Sequence, residues 1–89
     1  MYYVYVLISK KDGRFYTGYT NNLKQRFLSH QEGLVRATSS RRPFKLFYYE
    51  AYTNGQDAQR REKYLKSGMG KRDLKKRLKE GLEWEGLTG

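Results

Sequence analysis

The sequence predicts an α+β domain whose elements run strand, strand, helix, strand, helix, helix, and three observations carry that expectation. Two tyrosine-rich, β-branched segments, Tyr2–Ser9 and Arg14–Thr20, flank the turn signal Lys11-Asp12-Gly13. Apolar residues recur at spacings of three and four in the segments that follow, between capping residues and closing glycines. A lone aromatic segment, Lys45–Tyr52, separates the helical stretches.

The first two segments read as a β-hairpin. With Asp12-Gly13 as a two-residue loop, odd positions of the first strand share a face with even positions of the second. Tyr3, Tyr5 and Leu7 then stand beside Tyr16, Gly18 and Thr20, while Val4, Val6, Ile8 and Phe15 form the better core face. The phenols on the other face either make a cross-strand aromatic pair that stabilises the hairpin or serve a site.

Thr20 or Asn21 can cap a first helix running to about Glu32, with Leu23, Phe27, His30 and Leu34 along one side and Gly33 ending it. Arg26, four residues before His30, belongs to the same neighbourhood. Leu34–Pro43 has no periodicity and reads as a mobile basic loop carrying Arg36, Arg41 and Arg42. In Lys45–Tyr52 the set Phe47, Tyr49, Ala51 alternates with Leu46, Tyr48, Glu50, the pattern of a third strand. Thr53-Asn54-Gly55-Gln56 matches a capping box and opens a second helix, Gln56–Ser67, closed by Gly68. A third helix is expected over Lys71–Glu80, and Trp84 is a candidate to dock the remainder onto the body.

Composition narrows the function. At 89 residues the chain is expected to form one domain, residues 1–80, with 81–89 as a C-terminal tail. The absence of cysteine and the single histidine exclude disulfides and the usual zinc clusters. No apolar run approaches the roughly 20 residues needed to span a bilayer, nor does the start resemble a signal peptide, so the expectation is a soluble, cytoplasmic protein with no membrane partner. A net charge of +10 with 16% aromatic residues points to a nucleic-acid partner, against the alternative of a solubilising charge excess.

The second helix places Glu62 in register with Ala58, Leu65 and Met69, a carboxylate on an apolar stripe. Such a group must be paired or ligated. One reading is an ion pair with Arg26 or another arginine; the other is a function. No second carboxylate has a comparable position, which argues against a two-metal site. A single carboxylate can hold one magnesium ion whose remaining positions are filled by water and phosphate. Phenols, one arginine and one histidine are the groups a phosphodiester hydrolysis needs beside a lone metal.

These residues carry a resemblance to the GIY-YIG nuclease superfamily, and within it to the small stand-alone bacterial proteins related to the N-terminal nuclease domain of the excision-repair incision subunit. The resemblance covers Tyr2 to Leu78. Tyr3-Val4-Tyr5 resembles the first motif, with Tyr3 where the family name has Gly, and Tyr16-Thr17-Gly18 resembles the second. Asn22-Leu23-Lys24-Gln25-Arg26-Phe27-Leu28-Ser29-His30 is similar to the family's Asn-Leu-x-x-Arg-x-x-x-His segment, and Ala58–Lys66 to the helix bearing the metal-binding glutamate. What the resemblance implies is a three-stranded antiparallel sheet with flanking helices, and catalysis by Tyr5, Tyr16, Arg26, His30 and Glu62 with one divalent ion, Mg2+ or Mn2+, on Glu62.

The expected function is therefore a metal-dependent endonuclease hydrolysing DNA phosphodiester bonds in one step, with DNA repair as the setting the resemblance suggests and no small-molecule cofactor. RNA is the other candidate substrate. The alternative is a nucleic-acid-binding protein with weak or lost nuclease activity. Gly18, expected to permit close approach of backbone or phosphate, and Lys24, Arg36, Arg41, Arg42 and Lys66 are the candidate nucleic-acid contacts.

Overall fold

In the computed structural model, which describes residues 1–87, the strand Tyr2–Ser9 (β1) is buried on both faces, and the rest of the architecture follows from that. β1 is the centre of a three-stranded antiparallel sheet, flanked by β2 (Phe15–Thr20) and β3 (Phe44–Tyr52) in the order β2-β1-β3. Helices cover both faces. Val4 and Val6 pack with Ala58 and Leu65 of α2 (Gly55–Lys66) and Leu74 of α3 (Gly68–Arg77). On the opposite face Tyr5 and Leu7 pack with Phe44 and with Leu23 and Phe27 of α1 (Leu23–Gln31). A short helix, α4 (Lys79–Trp84), follows. The expected core face exists, but the phenol-bearing face is a second core, because a helix lies over it too.

The hairpin keeps its expected parity while its loop is longer than expected. Ile8 pairs with Phe15 and Ser9 N–H donates to Arg14 O (3.0 Å), so four residues, Lys10–Gly13, make the turn instead of two. A loop longer by two residues shifts the register by two, which leaves every side chain on its predicted face. Tyr5 therefore stands opposite Gly18, and Leu7 opposite Tyr16. Gly13, at φ 71°, supplies the left-handed residue that closes the turn.

In β3 the expected alternation breaks. Leu46 pairs with Leu7 and Tyr48 with Val6, so Phe47 is the extra residue of a bulge. Phe47 and Tyr48 consequently both pack on the Val4–Val6 side, while Leu46 faces α1.

Helix boundaries moved by a residue or more where several capping side chains compete. Asn22, not Thr20 or Asn21, caps α1, its side chain accepting from Gln25 N–H (3.2 Å). Asn54, not Thr53, caps α2, accepting from Gln56 N–H (2.8 Å) and Asp57 N–H (3.3 Å). Gly68 starts α3 instead of merely ending α2, because Ser67 caps it through Gly70 N–H (3.1 Å). Any Cβ on Gly70 would overlap the backbone of Tyr64 and Leu65, so this glycine sets how closely α2 and α3 approach. The segment expected as a tail continues into α4, where Leu82 is buried; Trp84 does not dock, being 85% exposed.

Residues 34–43 form a packed connection. Val35 and Thr38 are buried, Ser39–Arg41 make a single 3-10 turn, and Leu34, expected on the inner side of α1, is exposed. Arg41 clamps this segment to the hairpin, its Nε donating to Asp12 (2.9 Å) while its guanidinium lies over Phe44 (5.8 Å). Among the described residues no helix is long and apolar enough to cross a membrane.

Candidate active site

The site begins with a histidine on the last turn of α1. The spacing Leu23, Phe27, His30 turns all three toward the sheet, and His30 is fully buried. Its Nε2 lies 2.8 Å from the Tyr5 hydroxyl and its Nδ1 2.8 Å from the Thr38 hydroxyl. Thr38 has one hydroxyl proton, which it donates to the Val35 carbonyl (3.4 Å). It therefore accepts from Nδ1–H, which leaves the Nε2 lone pair to accept from Tyr5 O–H. Burial, with the Arg26 charge adding to it, pushes the imidazole down to about 4, in keeping with a neutral ring. The ring of Tyr16 meets His30 edge-on, with centroids 5.1 Å apart.

Tyr5 is 1% exposed, and its ring crosses the backbone of the edge strand at Gly18. A Cβ at Gly18 would fall inside the phenol, so the glycine is the groove in which Tyr5 lies. Burial raises the Tyr5 pKa; the adjacent Arg26 guanidinium pulls it down, and Tyr16 and Glu62 add to the rise. Each of those groups is thus close enough to feel the charge state of one phenol. Arg26, on α1 one turn before His30, is half-buried and has no carboxylate partner among the described residues. A guanidinium held beside the Tyr5 phenol without an anion is arranged to meet one from outside.

Glu62 reaches this neighbourhood from α2. Its side chain is 20% exposed and its ion pair is with Lys66, four residues on, at 3.1 Å. The expected alternative, a pair with Arg26 or another arginine, is not what forms: Arg61 turns to Glu50 (2.9 Å) and Arg26 stays across the site. Among the described residues no three His, Cys, Asp or Glu side chains cluster. The donor set is one partly exposed carboxylate with a displaceable lysine. That suits a hard cation which keeps most of its water, and excludes a zinc-type cage.

The remaining candidates divide by their partners. Lys24 and Arg36 are exposed on the surface. Arg41 is committed to Asp12 and to the Phe15 carbonyl (3.4 Å), and Arg42 Nε donates to Ser39 O (2.9 Å) with its guanidinium laid over Gly33. Lys66 is held by Glu62. Reasoning from the sequence missed Thr38, which sits in a stretch without periodicity and carries no local sign of its partner. It also missed Glu50, which accepts from Tyr48 (2.6 Å), Tyr52 and Arg61 on the sheet face under α2. Burial pushes the Glu50 carboxyl up, but Arg61 and the two phenols outweigh it and hold the pKa below the ordinary value. Tyr52 is pushed to about 12 by burial and by that carboxylate. Glu50 did leave a signal, since it alternates with Tyr48 on the inner side of β3.

The family model for the GIY-YIG catalytic domain matches residues 1–77. A UPF0213 protein of Clostridium perfringens is 46% identical over 67 residues, covering 74% of this chain and 71% of the relative. One from Bacillus licheniformis is 35% identical over 88 residues, covering 94% and 90%. The solution NMR structure of a UPF0213 protein from Bacillus halodurans is similar with a TM-score of 0.53 at 37% identity, covering 83% of this chain and 82% of that one.

Proposed function

The chain belongs to the GIY-YIG catalytic-domain family, a nuclease superfamily whose substrate is nucleic acid, and from that premise we propose that it is a metal-dependent endonuclease hydrolysing DNA phosphodiester bonds in one step. The observation that carries the proposal is the convergence of Tyr5, Tyr16, Arg26 and Glu62 on one locus, with His30 and Thr38 behind it.

A neutral phenol can take a proton from water only while giving its own away. Tyr5 has an acceptor for it, the Nε2 of His30 at 2.8 Å. As the water oxygen bonds to phosphorus, the water proton moves to the Tyr5 oxygen and the Tyr5 proton moves to His30. The bond from phosphorus to the leaving oxygen breaks, and that oxygen takes its proton from solvent. Thr38 holds the imidazole in the tautomer that leaves Nε2 free to receive. Growing negative charge on the phosphorane favours the imidazolium, which offsets the low resting pKa. Arg26 stabilises that charge, and Tyr16, which has no hydrogen-bond partner among the described residues, can donate its O–H to a phosphate oxygen or to the water. Magnesium or manganese bound by the Glu62 carboxylate would supply charge neutralisation on the leaving side.

The test is single-turnover cleavage of single-stranded, duplex, nicked and flapped DNA, and of RNA, in magnesium or manganese and in chelator. Metal-dependent products support the proposal. Tight binding without product on any substrate replaces it with a nucleic-acid-binding protein.

A further inference from the structure

A groove of about 570 Å³ opens between the start of α1 and the sheet, lined by Tyr3, Asn22, Leu23, Lys24, Phe27 and Tyr49 among others. We propose that it is a subsite for one unpaired nucleotide of the substrate, on the β3 side of the cleaved bond, with the base against Tyr49 and a phosphate on Lys24. The inference rests on the nuclease reading above and adds the class of substrate.

Its position is the first argument. Tyr49 is the direct cross-strand partner of Tyr5, so both side chains rise from the same face of the sheet one strand apart. The Tyr5 ring leans over β2 at Gly18 while the groove lies on the β3 side, so its occupant is a nucleotide further along the strand from the one at Tyr5. The second argument is the aromatic surface itself. Tyr49 is 52% exposed although it stands on a face otherwise covered by α1. The rings of Tyr3 and Tyr49 meet edge-on at 6.0 Å and 65°, forming a corner on the exposed rim of the sheet. Neither hydroxyl has a hydrogen-bond partner among the described residues, whereas Tyr5, Tyr48, Tyr52 and Tyr64 each bond a His, Glu or Asp side chain. The pair is therefore not held by the side-chain bonds that fix those four hydroxyls.

The occupant follows from the chemistry. Leu23, Phe27 and Leu46 give the groove an apolar floor, and Lys24 stands at its rim, exposed and without a carboxylate partner among the described residues. A flat apolar body joined to an anion is what such a site takes, and a volume of this order encloses a small ligand. In a chain of net charge +10 beside a phosphodiester site, that ligand is a nucleotide of the substrate. A base within a duplex has both faces stacked, so only an unpaired or extruded base can lie on Tyr49. The preferred substrates then carry an unpaired segment that reaches from the cleaved bond to this groove.

The experiment compares the parent, Tyr49→Ala, Tyr49→Phe and Lys24→Ala on a single-stranded oligonucleotide and on its fully paired duplex. Binding is read by anisotropy in chelator, cleavage by single turnover in magnesium, and folding by circular dichroism. Expected are an affinity loss for the single strand of about 5- to 100-fold in Tyr49→Ala, the size of one base–aromatic stack, near-parent behaviour in Tyr49→Phe, and no change on the duplex. Lys24→Ala should weaken single-strand binding and reduce its salt dependence by about one ion. A 2-aminopurine placed in the strand should be quenched by the parent and by Tyr49→Phe but not by Tyr49→Ala. Equal losses on both substrates, no loss on either, or quenching that persists in Tyr49→Ala overturns the subsite. If nothing is cleaved yet the single-strand preference vanishes in Tyr49→Ala, the subsite stands and the nuclease reading falls.

Discussion

The hydroxyl of Tyr5 and Nε2 of His30, residues 25 apart in sequence, meet at 2.8 Å in a fully buried hydrogen bond between the central strand and α1. The bond has two roles that one substitution separates. Tyr5→Phe keeps the ring over Gly18 and removes only the hydroxyl. It leaves Nε2 buried without a donor, an expected stability loss of about 1–3 kcal/mol, and lowers the single-turnover rate on the order of 10²- to 10⁴-fold. DNA affinity in chelator should stay near the parent value. A variant that cleaves at the parent rate removes Tyr5 from the proton path.

Gly18→Ala tests the approach of Tyr5 to the edge strand. The new methyl occupies the space of the phenol, which must leave its bond to His30 or push the strand aside. The expected cost is about 1–3 kcal/mol of overpacking, with loss of cleavage. In a Tyr5→Leu background, where the groove is empty, the same substitution should cost much less. Additive losses in thermal melts of the four proteins would show that Gly18 matters for some other reason.

Stability should fall as pH drops from 7 toward 4, and His30 sets the upper part of that window. Its folded pKa, about 4, lies below the ordinary value of 6.5, so between these values the unfolded chain binds more protons than the folded one. The contribution is fully present above 6.5 and is lost as pH falls through the folded pKa, in total at most about 3 kcal/mol. Glu50, whose pKa is also lowered, adds a loss of the same sign beneath the ordinary carboxylate value. Urea melts at a series of pH values should therefore show a slope between pH 6.5 and 4 that flattens in His30→Gln. An unchanged slope in that variant would mean that the histidine is not the group responsible.

Glu62→Gln separates a ligand from a structural ion pair. The partner is the 53% exposed Lys66, a pair of the kind worth a few tenths of a kcal/mol. The melting temperature in chelator should stay nearly unchanged or fall slightly, by no more than that pair contributes, while metal-dependent cleavage disappears. A melting loss equivalent to about 3–5 kcal/mol would indicate a buried structural pair. A folded variant that cleaves at the parent rate would refute the metal assignment.

The elements that were legible from the sequence are those whose information is local and periodic. Alternation in Tyr2–Ser9 and the odd–even parity of the hairpin put Tyr5 and Gly18 on one face, and this survived a wrong loop length because the error was an even number of residues. Helical spacing brought Arg26 toward His30 and marked Glu62 as out of place. The family motifs added the expectation that these residues share one site.

What only the tertiary structure decided is which partner each of them finds. Thr38 reaches His30 from a loop with no repeating pattern, and nothing in its neighbours announces a buried hydroxyl. Whether the phenol-bearing face was solvated or covered depended on where α1 came to rest, and that placement turned two loose phenols into one buried donor, Tyr5, and one half-buried ring, Tyr16. Glu62 pairs with Lys66 one turn on in its own helix, and Arg26 of α1 stays without a carboxylate partner among the described residues. Periodicity assigns a side chain to a face of its own element. The contacts that tune its proton, its charge and its exposure come from other elements, and their positions are set only when the whole core closes.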